Sequence, residues 1–414
     1  MRPLLLVALV AGCGSPASQG TGGGSASPLK ATALSVGFAS ACAVVDDGGV
    51  VCWGSEVPGL LGRGSNAPAS TPTPTRVSGI DERVTSLAMG SNSACAVTAT
   101  GRVWCWGTNC YDANGPPALC LTGGDGGQFG QAGRNTEWIP APIEGLSGHA
   151  TAVSVGEGFA CALLAGGTVE CWGAGDLGQT GNQDMSNLVP VPVSGLEHVT
   201  ALSAGATSAC AITAGGGVVC WGGNAAGQLG DNSTANSAVP VQVSGLTTGV
   251  TAVALASLLD EACAVTGGGG GVCWGVNGVA QALSVGPART SAPAPIAGLA
   301  QGMTAVSLGV NGEDGCALTR AGGVVCWGGG AQGELGNGST ANSAAPVQVA
   351  GLTHGVASVS VGNGFACALT LAGGVECWGA LLGEQITSAA GAASCRYSIS
   401  DMPCSDKPLP VAGF

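Results

Sequence analysis

The sequence predicts an all-β protein, a seven-bladed β-propeller of four-stranded blades with one repeat of about 50 residues per blade. The tripeptide Cys-Trp-Gly occurs seven times, at spacings of 49 to 66 residues. Glycine accounts for 76 of the 414 residues and charged residues for only 8%, a composition typical of many tight turns rather than long amphipathic helices. Repeats of this kind close into a ring when each contributes one small sheet.

Four short segments of strand composition recur in each repeat. In the fourth repeat they are Val199–Ser203, Ala209–Thr213, Gly217–Trp221 and Pro240–Val243, each bracketed by Gly, Asn or Pro. An open β-solenoid is the alternative, but its coils are shorter and its ends need capping elements. The last repeat instead ends on Pro408–Phe414, a good copy of the end of the other repeats, so seven whole units fit.

The first 30 residues read as a targeting segment and a tether. Arg2 precedes the apolar run Leu4–Ala11, which is too short to span a bilayer, and Val10–Cys13 resembles the lipobox of bacterial lipoproteins. This resemblance implies lipid on Cys13, whereas the alternative is a plain secretory signal. The predicted organisation is a signal peptide over residues 1–12, a lipidated Cys with a Gly/Ser tether over 13–30, and the propeller over 31–414. The repeats cover approximately residues 32–80, 84–146, 151–196, 199–246, 250–299, 303–352 and 355–414.

The cysteines form a regular pattern once Cys13 is set aside from the total of 19. Each repeat has two, ten residues apart, on the predicted second and third strands, where they face each other across a hairpin. An exported protein meets an oxidising environment, which favours disulfides over buried thiols. The predicted pairs are Cys42/Cys52, Cys95/Cys105, Cys161/Cys171, Cys210/Cys220, Cys263/Cys273, Cys316/Cys326 and Cys367/Cys377, with the additional pairs Cys110/Cys120 and Cys395/Cys404. A zinc site is not predicted, because no two cysteines have the C-x2-C spacing that is typical of zinc ligands.

One tryptophan follows the second cysteine of every repeat. Strict recurrence at one position favours packing between blades over a binding cage. The seven are Trp53, Trp106, Trp172, Trp221, Trp274, Trp327 and Trp378.

The pattern A-C-A-L…G-x-V-x-C-W-G-x-N-x-x-G-Q-L-G-x-G, clearest in Cys210–Asp231 and Cys316–Asn337, resembles the repeat of the regulator-of-chromosome-condensation family. The resemblance covers about residues 32–414 and implies a seven-bladed propeller. It implies much less about function, because members range from nucleotide exchange on a small GTPase to light sensing and inhibition of secreted bacterial enzymes. The lipoprotein signal, the acidic charge and the two cysteines per repeat depart from the eukaryotic members.

Two elaborated loops predict a functional side of the propeller. Loops after the first and third strands of a blade share one end of the ring, which we call the first face; the other end is the second face. The Cys110–Cys120 and Cys395–Cys404 loops are both on the first face and carry Tyr111, Tyr397 and Arg396. Rigid tyrosines on such loops are typical of a protein-binding surface, although extra loops are also tolerated on a stable scaffold without any function.

The first face also carries two acidic pairs, Asp260-Glu261 and Glu313-Asp314, each just before a cysteine of a second strand. Such pairs can chelate Ca²⁺ or meet a basic partner. Solvated loop residues of no particular function are the third interpretation.

These features predict a non-enzymatic binding or scaffold module for a protein or glycan at the cell envelope, held to the membrane only by its lipid. A net charge of −13 argues against nucleic acid as a partner. Inhibition of a secreted or periplasmic enzyme and guanine-nucleotide exchange are the alternatives that the family resemblance allows. A glycan lyase is least favoured, since no acid/base pair is evident. No catalytic, cofactor-binding or metal-binding residue is assigned; His149, His198 and His354 each fall at the joint between two repeats.

Overall fold

The computed structural model describes residues 28–55, 59–64, 70–108, 136–183, 186–278, 287–380, 393–397 and 400–414. Seven antiparallel sheets follow one another along the chain; in the first six the four strands lie in sequence order from the inside to the outside, and the seventh has five strands of which the last two are exchanged in order. The predicted seven-bladed β-propeller is therefore confirmed. Within the described ranges, no helix has the length and apolarity that a membrane crossing requires.

The strands of the first four blades are as follows. Blade 1 contains β1 (Ala31–Val36), β2 (Ser40–Val45), β3 (Val50–Ser55) and β4 (Ser70–Arg76). Blade 2 contains β5 (Val84–Met89), β6 (Ser93–Thr98), β7 (Val103–Thr108) and β8 (Thr136–Pro142). Blade 3 contains β9 (Ala150–Val155), β10 (Phe159–Leu164), β11 (Val169–Ala174) and β12 (Ser186–Pro192). Blade 4 contains β13 (Val199–Ala204), β14 (Ser208–Thr213), β15 (Val218–Gly222) and β16 (Ser237–Gln242).

The remaining three blades complete the ring. Blade 5 contains β17 (Val250–Leu255), β18 (Glu261–Thr266), β19 (Gly271–Val276) and β20 (Arg289–Pro295). Blade 6 contains β21 (Met303–Leu308), β22 (Asp314–Thr319), β23 (Val324–Gly328) and β24 (Ser343–Gln348). Blade 7 contains β25 (Val356–Val361), β26 (Phe365–Thr370), β27 (Val375–Ala380), β28 (Ala393–Tyr397) and β29 (Ser400–Pro410), with β28 as a fifth, outermost strand.

The blade pattern predicted from the sequence is close to the observed one. In blade 4 the first three strands differ from the predicted bounds by at most a single residue at either end, whereas the last begins at Ser237 rather than Pro240, because Ser237 already pairs with Gly222 of the third strand. The register between Cys220 and Gly222 shifts at this point, and equivalent irregularities occur in the other blades. Such a bulge bends the outer strand while keeping it in the sheet.

Serine side chains link neighbouring blades near the axis. The hydroxyl of Ser203 in β13 accepts a hydrogen bond from the backbone N–H of Leu255 in the next blade, at 3.1 Å. The same bond closes the ring, since the Ser360 hydroxyl in blade 7 accepts from the N–H of Val36 in blade 1 at 3.0 Å. The same bond joins blades 1 and 2, 3 and 4, and 6 and 7, whereas blades 2 and 5 have Ala88 and Ala254 at this position.

The seven predicted disulfides of the repeats are all present, one in each blade. Each joins directly opposite residues of the second and third strands, as the ten-residue spacing predicts, with Cα atoms 4.0 to 4.1 Å apart. The bridges are Cys42–Cys52, Cys95–Cys105, Cys161–Cys171, Cys210–Cys220, Cys263–Cys273, Cys316–Cys326 and Cys367–Cys377. The alternative of unpaired buried thiols is wrong for these 14 cysteines.

The bridges lie in the interior of the blades. The seven cysteines of the second strands are all buried. Those of the third strands are fully buried in six blades and partly accessible in one, at Cys273; the six are Cys52, Cys105, Cys171, Cys220, Cys326 and Cys377. The bridges therefore have a structural role in the core and offer no reactive thiol at the surface.

The other predicted cysteine roles are only partly within the described residues. Cys404 is disulfide-bonded. Cys13, Cys110, Cys120 and the Cys395 side chain lie outside the described residues. The lipid and the two extra bridges therefore stay predictions.

The recurring tryptophans pack between blades, as predicted. All seven are at most 3% exposed. In four of them the indole N–H donates to a backbone carbonyl in the loop after the third strand of the preceding blade: Trp106 to Leu60, Trp221 to Gln179, Trp274 to Gln228 and Trp378 to Glu334, at 2.7 to 3.0 Å. These four tryptophans therefore fix loops of the first face to the neighbouring blade.

We expect Trp274→Phe to lower the free energy of unfolding by about 1–3 kcal/mol, because the buried Gln228 carbonyl loses its donor and a small void remains. Urea denaturation followed by circular dichroism measures this change. Trp104→Phe is the control, since the Trp104 indole nitrogen has no hydrogen-bond partner within the described part of the chain. Equal shifts of the two midpoints would argue against a stabilising bond between the blades.

Candidate functional site

The two ends of the propeller have different construction. The second face is formed by the hairpin turns between second and third strands and by the connections between blades. Each turn is tied to a connection: the N–H of Ala165 donates to the His149 carbonyl and that of Ala214 to the His198 carbonyl, both at 2.8 Å. The three histidines therefore lie at joints on the second face, as expected, with exposed side chains.

The first face has loops held by internal hydrogen bonds. In blade 4 the Gln228 carboxamide oxygen accepts from the N–H of Ala226 at 2.9 Å, and the buried Asn224 side chain accepts from the N–H of Leu229. The Gln179 side chain makes the corresponding bond in blade 3 and Glu334 makes it in blade 6. These loops are consequently well-defined surfaces on which a partner could bind without a large ordering cost.

The structure places the two acidic pairs at the turns between first and second strands. Glu261 and Asp314 begin β18 and β22, and they are only 5% and 3% exposed. Asp260 is half-buried and accepts a hydrogen bond from the Thr207 hydroxyl at 2.7 Å, whereas Glu313 is exposed. The interpretation as solvated loop residues is thus wrong for Glu261 and Asp314, because the hairpins turn their side chains between the blades.

Comparison among the blades shows how unusual these carboxyl groups are. The five other repeats have a buried neutral residue at the first position of the second strand: Ser40, Ser93, Phe159, Ser208 and Phe365. Blade 6 has a further difference, since Glu334 occupies the place that Gln179 and Gln228 fill in blades 3 and 4. Buried acids on the first face are therefore concentrated in blades 5 and 6.

Burial changes the proton affinity of this cluster. Desolvation raises the pKa of Glu261 to about 8, although a hydrogen bond from the backbone of Gly278 opposes the shift. Desolvation also raises the pKa of Asp314 well above its usual range, and the charges of Glu334, Glu313 and Glu261 raise it further. Burial likewise raises the pKa values of Asp260 and Glu334. In addition, neither Glu261 Oε2 nor Asp314 Oδ2 has a hydrogen-bond partner among the residues that the structure describes.

A zinc-type site does not fit this cluster. The Glu261 carboxylate lies within 4.8 Å of the sulfur atoms of Cys263 and Cys273, the one set of three metal-ligand side chains that the described ranges bring together. Those sulfur atoms form a disulfide and cannot act as thiolate ligands. A cavity of about 210 Å³ does border Glu261, between blades 5 and 6, and Trp274, Asn277 and Trp327 also line it.

A larger cavity of about 1340 Å³ opens on the second face. Inner-strand threonines line it, among them Thr151, Thr200 and Thr251, together with glycine-rich turns and Arg320. The threonine hydroxyls donate to the neighbouring strand, as in Thr200 to the Ile212 carbonyl at 3.2 Å. This opening was not predicted from the sequence. Threonine at the second position of six of the seven first strands was the available signal.

The predicted tyrosine loops are only partly within the described residues. Tyr111 lies outside them. The backbone of Arg396 and Tyr397 belongs to β28, opposite Asp401 and Ser400 of β29. The sequence analysis did not predict this fifth strand. Binding by these three residues stays a prediction, as does binding by the acidic pairs.

The comparisons with known proteins agree with this fold. Two family models for the regulator of chromosome condensation (RCC1) repeat match residues 84–112, 150–179 and 199–228, and residues 47–97, 215–257 and 321–369. The mitochondrial RCC1 domain-containing protein RUG3 of Arabidopsis thaliana is 27% identical over 174 residues, covering 40% of this chain. The chain matches only 36% of the length of that relative.

Solved structures of similar proteins extend the likeness to most of the ring. Human WBSCR16 superposes with a TM-score of 0.69 at 21% identity, covering 88% of this chain and 94% of that one. Prp20p of Saccharomyces cerevisiae, described with its binding to Gsp1p and histones, gives a TM-score of 0.67 at 21% identity and covers 81% of each chain. Because the repeat models match along the chain and the structure is a seven-bladed ring with tryptophan-anchored loops, the chain belongs to the regulator of chromosome condensation (RCC1) repeat family.

Proposed function

We propose that the protein is an exported, lipid-anchored, non-enzymatic binding module whose first face binds a protein with a basic surface at the cell envelope. The observation that carries this proposal is the concentration of carboxyl groups on the first face of a disulfide-bonded scaffold. The rigid loops described above present these groups at fixed positions.

The charge of the first face supports a basic partner. Asp176 and Glu313 are exposed there, and Asp231, Asp260 and Asp406 are half-buried. The described basic side chains on the same face are fewer: Arg63, Arg289 and Lys407. A surface with one dominant sign of charge accelerates association with a partner of opposite charge and selects against others.

The disulfides support export. Seven bridges in the body of one chain are typical of oxidising compartments, because cytosolic reductants keep thiols reduced. Lipid on Cys13 would then hold the propeller at a membrane surface through the tether. The intact mass of the mature protein tests this part of the proposal, since a lipidated amino-terminal cysteine adds the mass of the lipid.

Binding to solubilised envelope proteins tests the partner. We expect an Asp176→Lys, Glu313→Lys double variant to bind a recovered partner at least about tenfold more weakly than the wild type, because each change replaces attraction by repulsion. Wild-type binding should also weaken as salt is added. Glu197→Lys makes a comparable change at an exposed position of the second face and should bind like the wild type.

If the wild type, the double variant and Glu197→Lys all recover equal amounts of the partner, the partner does not bind to the first face. A Tyr111→Ala, Tyr397→Ala double variant tests the tyrosine loops in the same assay, and we expect weaker binding. If the partner is a secreted enzyme, its activity with and without the propeller distinguishes inhibition from simple attachment. Recovery of a glycan in place of a protein would contradict the basic-protein assignment.

A further inference from the structure

The chain enters the propeller on the second face. The N–H of Ala31, the first residue of β1, donates to the Gly373 carbonyl in the hairpin turn of blade 7, at 2.9 Å. Residues 14–27 separate Cys13 from the described part of the chain, and a segment of that length spans at most about 50 Å when fully extended. A lipid on Cys13 would therefore hold the second face close to the membrane, whereas the first face is at the opposite end of the ring.

Leu371 begins the same hairpin turn and is highly exposed. Its exposed fraction of 73% is the largest among the large apolar side chains in the described ranges. The other six blades have a small or charged residue at this position: Asp46, Ala99, Ala165, Ala214, Gly267 and Arg320. Single exposed leucines are common on soluble proteins, so exposure alone indicates nothing. The location is informative, because a Cβ atom on Gly373 would lie 3.0 Å from Cβ of Lys30, where the chain enters the ring.

The segments around Leu371 carry basic side chains. The Leu371 N–H donates to the carbonyl of Gly355 at 2.8 Å, and Gly355 follows the exposed His354. The turn that begins at the exposed Arg320 is hydrogen-bonded to the same connection between blades 6 and 7, at 2.9 Å. Lys30, on the other side of Leu371, is also exposed. These segments therefore form a continuous strip, and we call Lys30, Arg320, His354 and Leu371 the entry patch.

The charges of the second face are unevenly distributed. The hairpin turns and connections of blades 4 to 7 contain no aspartate or glutamate, over residues 214–217, 243–249, 267–270, 296–302, 320–323, 349–355 and 371–374. Exposed acids lie instead between blades 1 and 4, and they include Asp46, Asp81, Glu144 and Glu197. Asp46 borders the entry patch, since its N–H donates to the Lys30 carbonyl. An anionic surface is therefore attracted mainly at blades 6 and 7.

We propose that the entry patch lies on anionic lipid headgroups, with the Leu371 side chain in the membrane interface and Lys30 and Arg320 beside lipid phosphates, so that the first face points away from the membrane. Apolar side chains flanked by basic ones favour this interface, and each basic residue near an anionic bilayer strengthens binding by about fivefold. A second copy of the chain or another protein fits less well, because a stable protein interface needs a far larger contact area than one exposed leucine offers. The orientation rests on the lipid anchor proposed above and leaves the first face free for a partner.

Photocrosslinking in vesicles tests the orientation. The mature lipidated protein is reconstituted into vesicles of phosphatidylcholine and phosphatidylglycerol in equal parts. We expect Leu371→p-benzoylphenylalanine to give at least about tenfold more lipid adduct than Leu177→p-benzoylphenylalanine, because Leu177 is exposed on the first face. Equal yields at the two positions, or a higher yield at Leu177, would overturn the orientation. Crosslinks from position 371 to protein in place of lipid would overturn the choice of a lipid surface.

A Lys30→Glu, Arg320→Glu double variant tests the charge of the entry patch. Combined with Leu371→p-benzoylphenylalanine, it should lower the yield of lipid adduct about tenfold or more in the mixed vesicles, because two attractions become repulsions. The control pair, Arg83→Glu with Arg102→Glu, makes the same change of charge at exposed second-face positions near blade 2 and should leave the yield unchanged. Equal yields from the two double variants would contradict binding to anionic headgroups.

The intact mass of the same preparation separates failure of the anchor from failure of the orientation. A mass without lipid contradicts the lipid anchor and, with it, the orientation. A mass with lipid on the amino-terminal cysteine, combined with equal labelling at Leu371 and Leu177, overturns the orientation alone.

Discussion

Reduction of the seven repeat disulfides is expected to prevent the propeller from refolding. Each bridge closes a loop of 11 residues, counting both cysteines, and removes about 3 kcal/mol of chain entropy from the unfolded state. Loss of all seven therefore exceeds the 5–15 kcal/mol by which folded proteins are typically stable. Protein unfolded in guanidinium with a reductant and then diluted with the reductant still present should show no native circular dichroism.

The control is the same cycle without reductant, from which the native spectrum should return. Reductant added to the native protein without denaturant should act slowly, because 13 of the 14 cysteines are buried. A single-bridge variant, Cys210→Ala with Cys220→Ala, should remain folded and lose about 2–5 kcal/mol. Full recovery of the reduced chain would show that the bridges are dispensable for the fold.

Raising the pH from about 4.5 to 8 is expected to destabilise the protein. The pKa of Glu261 is about 8 in the folded protein, against 4.5 for an ordinary glutamate. Below pH 4.5 the Glu261 carboxyl group is protonated in both the folded and the unfolded chain, so its titration does not reduce the free energy of unfolding there. Between the two values only the unfolded chain releases it, and the free energy of unfolding falls by up to about 1.4 kcal/mol per pH unit until the folded pKa is passed. Asp314, Glu334 and Asp260 shift in the same direction.

Glu261→Gln isolates this effect. The variant should be about as stable as the wild type at pH 4.5 and more stable by a few kcal/mol at pH 8.5, because glutamine has no proton to release. Urea denaturation at pH 4.5, 6.5 and 8.5 measures both proteins. Glu197→Gln, at an exposed position of the second face, should follow the wild type. Parallel curves for the wild type and Glu261→Gln would show that burial of Glu261 does not control the pH dependence.

The fold could be predicted from the sequence because every structural unit is repeated seven times. The ten-residue spacing of Cys210 and Cys220 already implied directly opposite positions on a hairpin, and Trp221 after Cys220 implied a recurring interface. The strand β28 was not predictable in this way, since the described residues of the other repeats contain no copy of it.

The candidate site was less predictable because it consists of departures from the repeat. Glu261 and Asp314 were identified as acidic pairs, but a charged residue before a strand ordinarily stays in water. Their burial follows from the place that serine and phenylalanine occupy in the other blades, for example Ser208 and Phe365. Aligning the repeats position by position would have predicted it. The second-face cavity depends on how the inner strands surround the axis, which local sequence does not report.

The local character of the seven bridges has a consequence for how the chain oxidises. Fourteen cysteines allow roughly 10⁵ complete pairings. In the native set each cysteine is bonded to the one ten residues away in its own repeat. Short loops close at the smallest entropy cost, so the native partner is also the one that a nascent, still unfolded chain meets most often. We therefore expect each repeat to acquire its covalent bond independently of the others, before the ring exists and without extensive isomerisation.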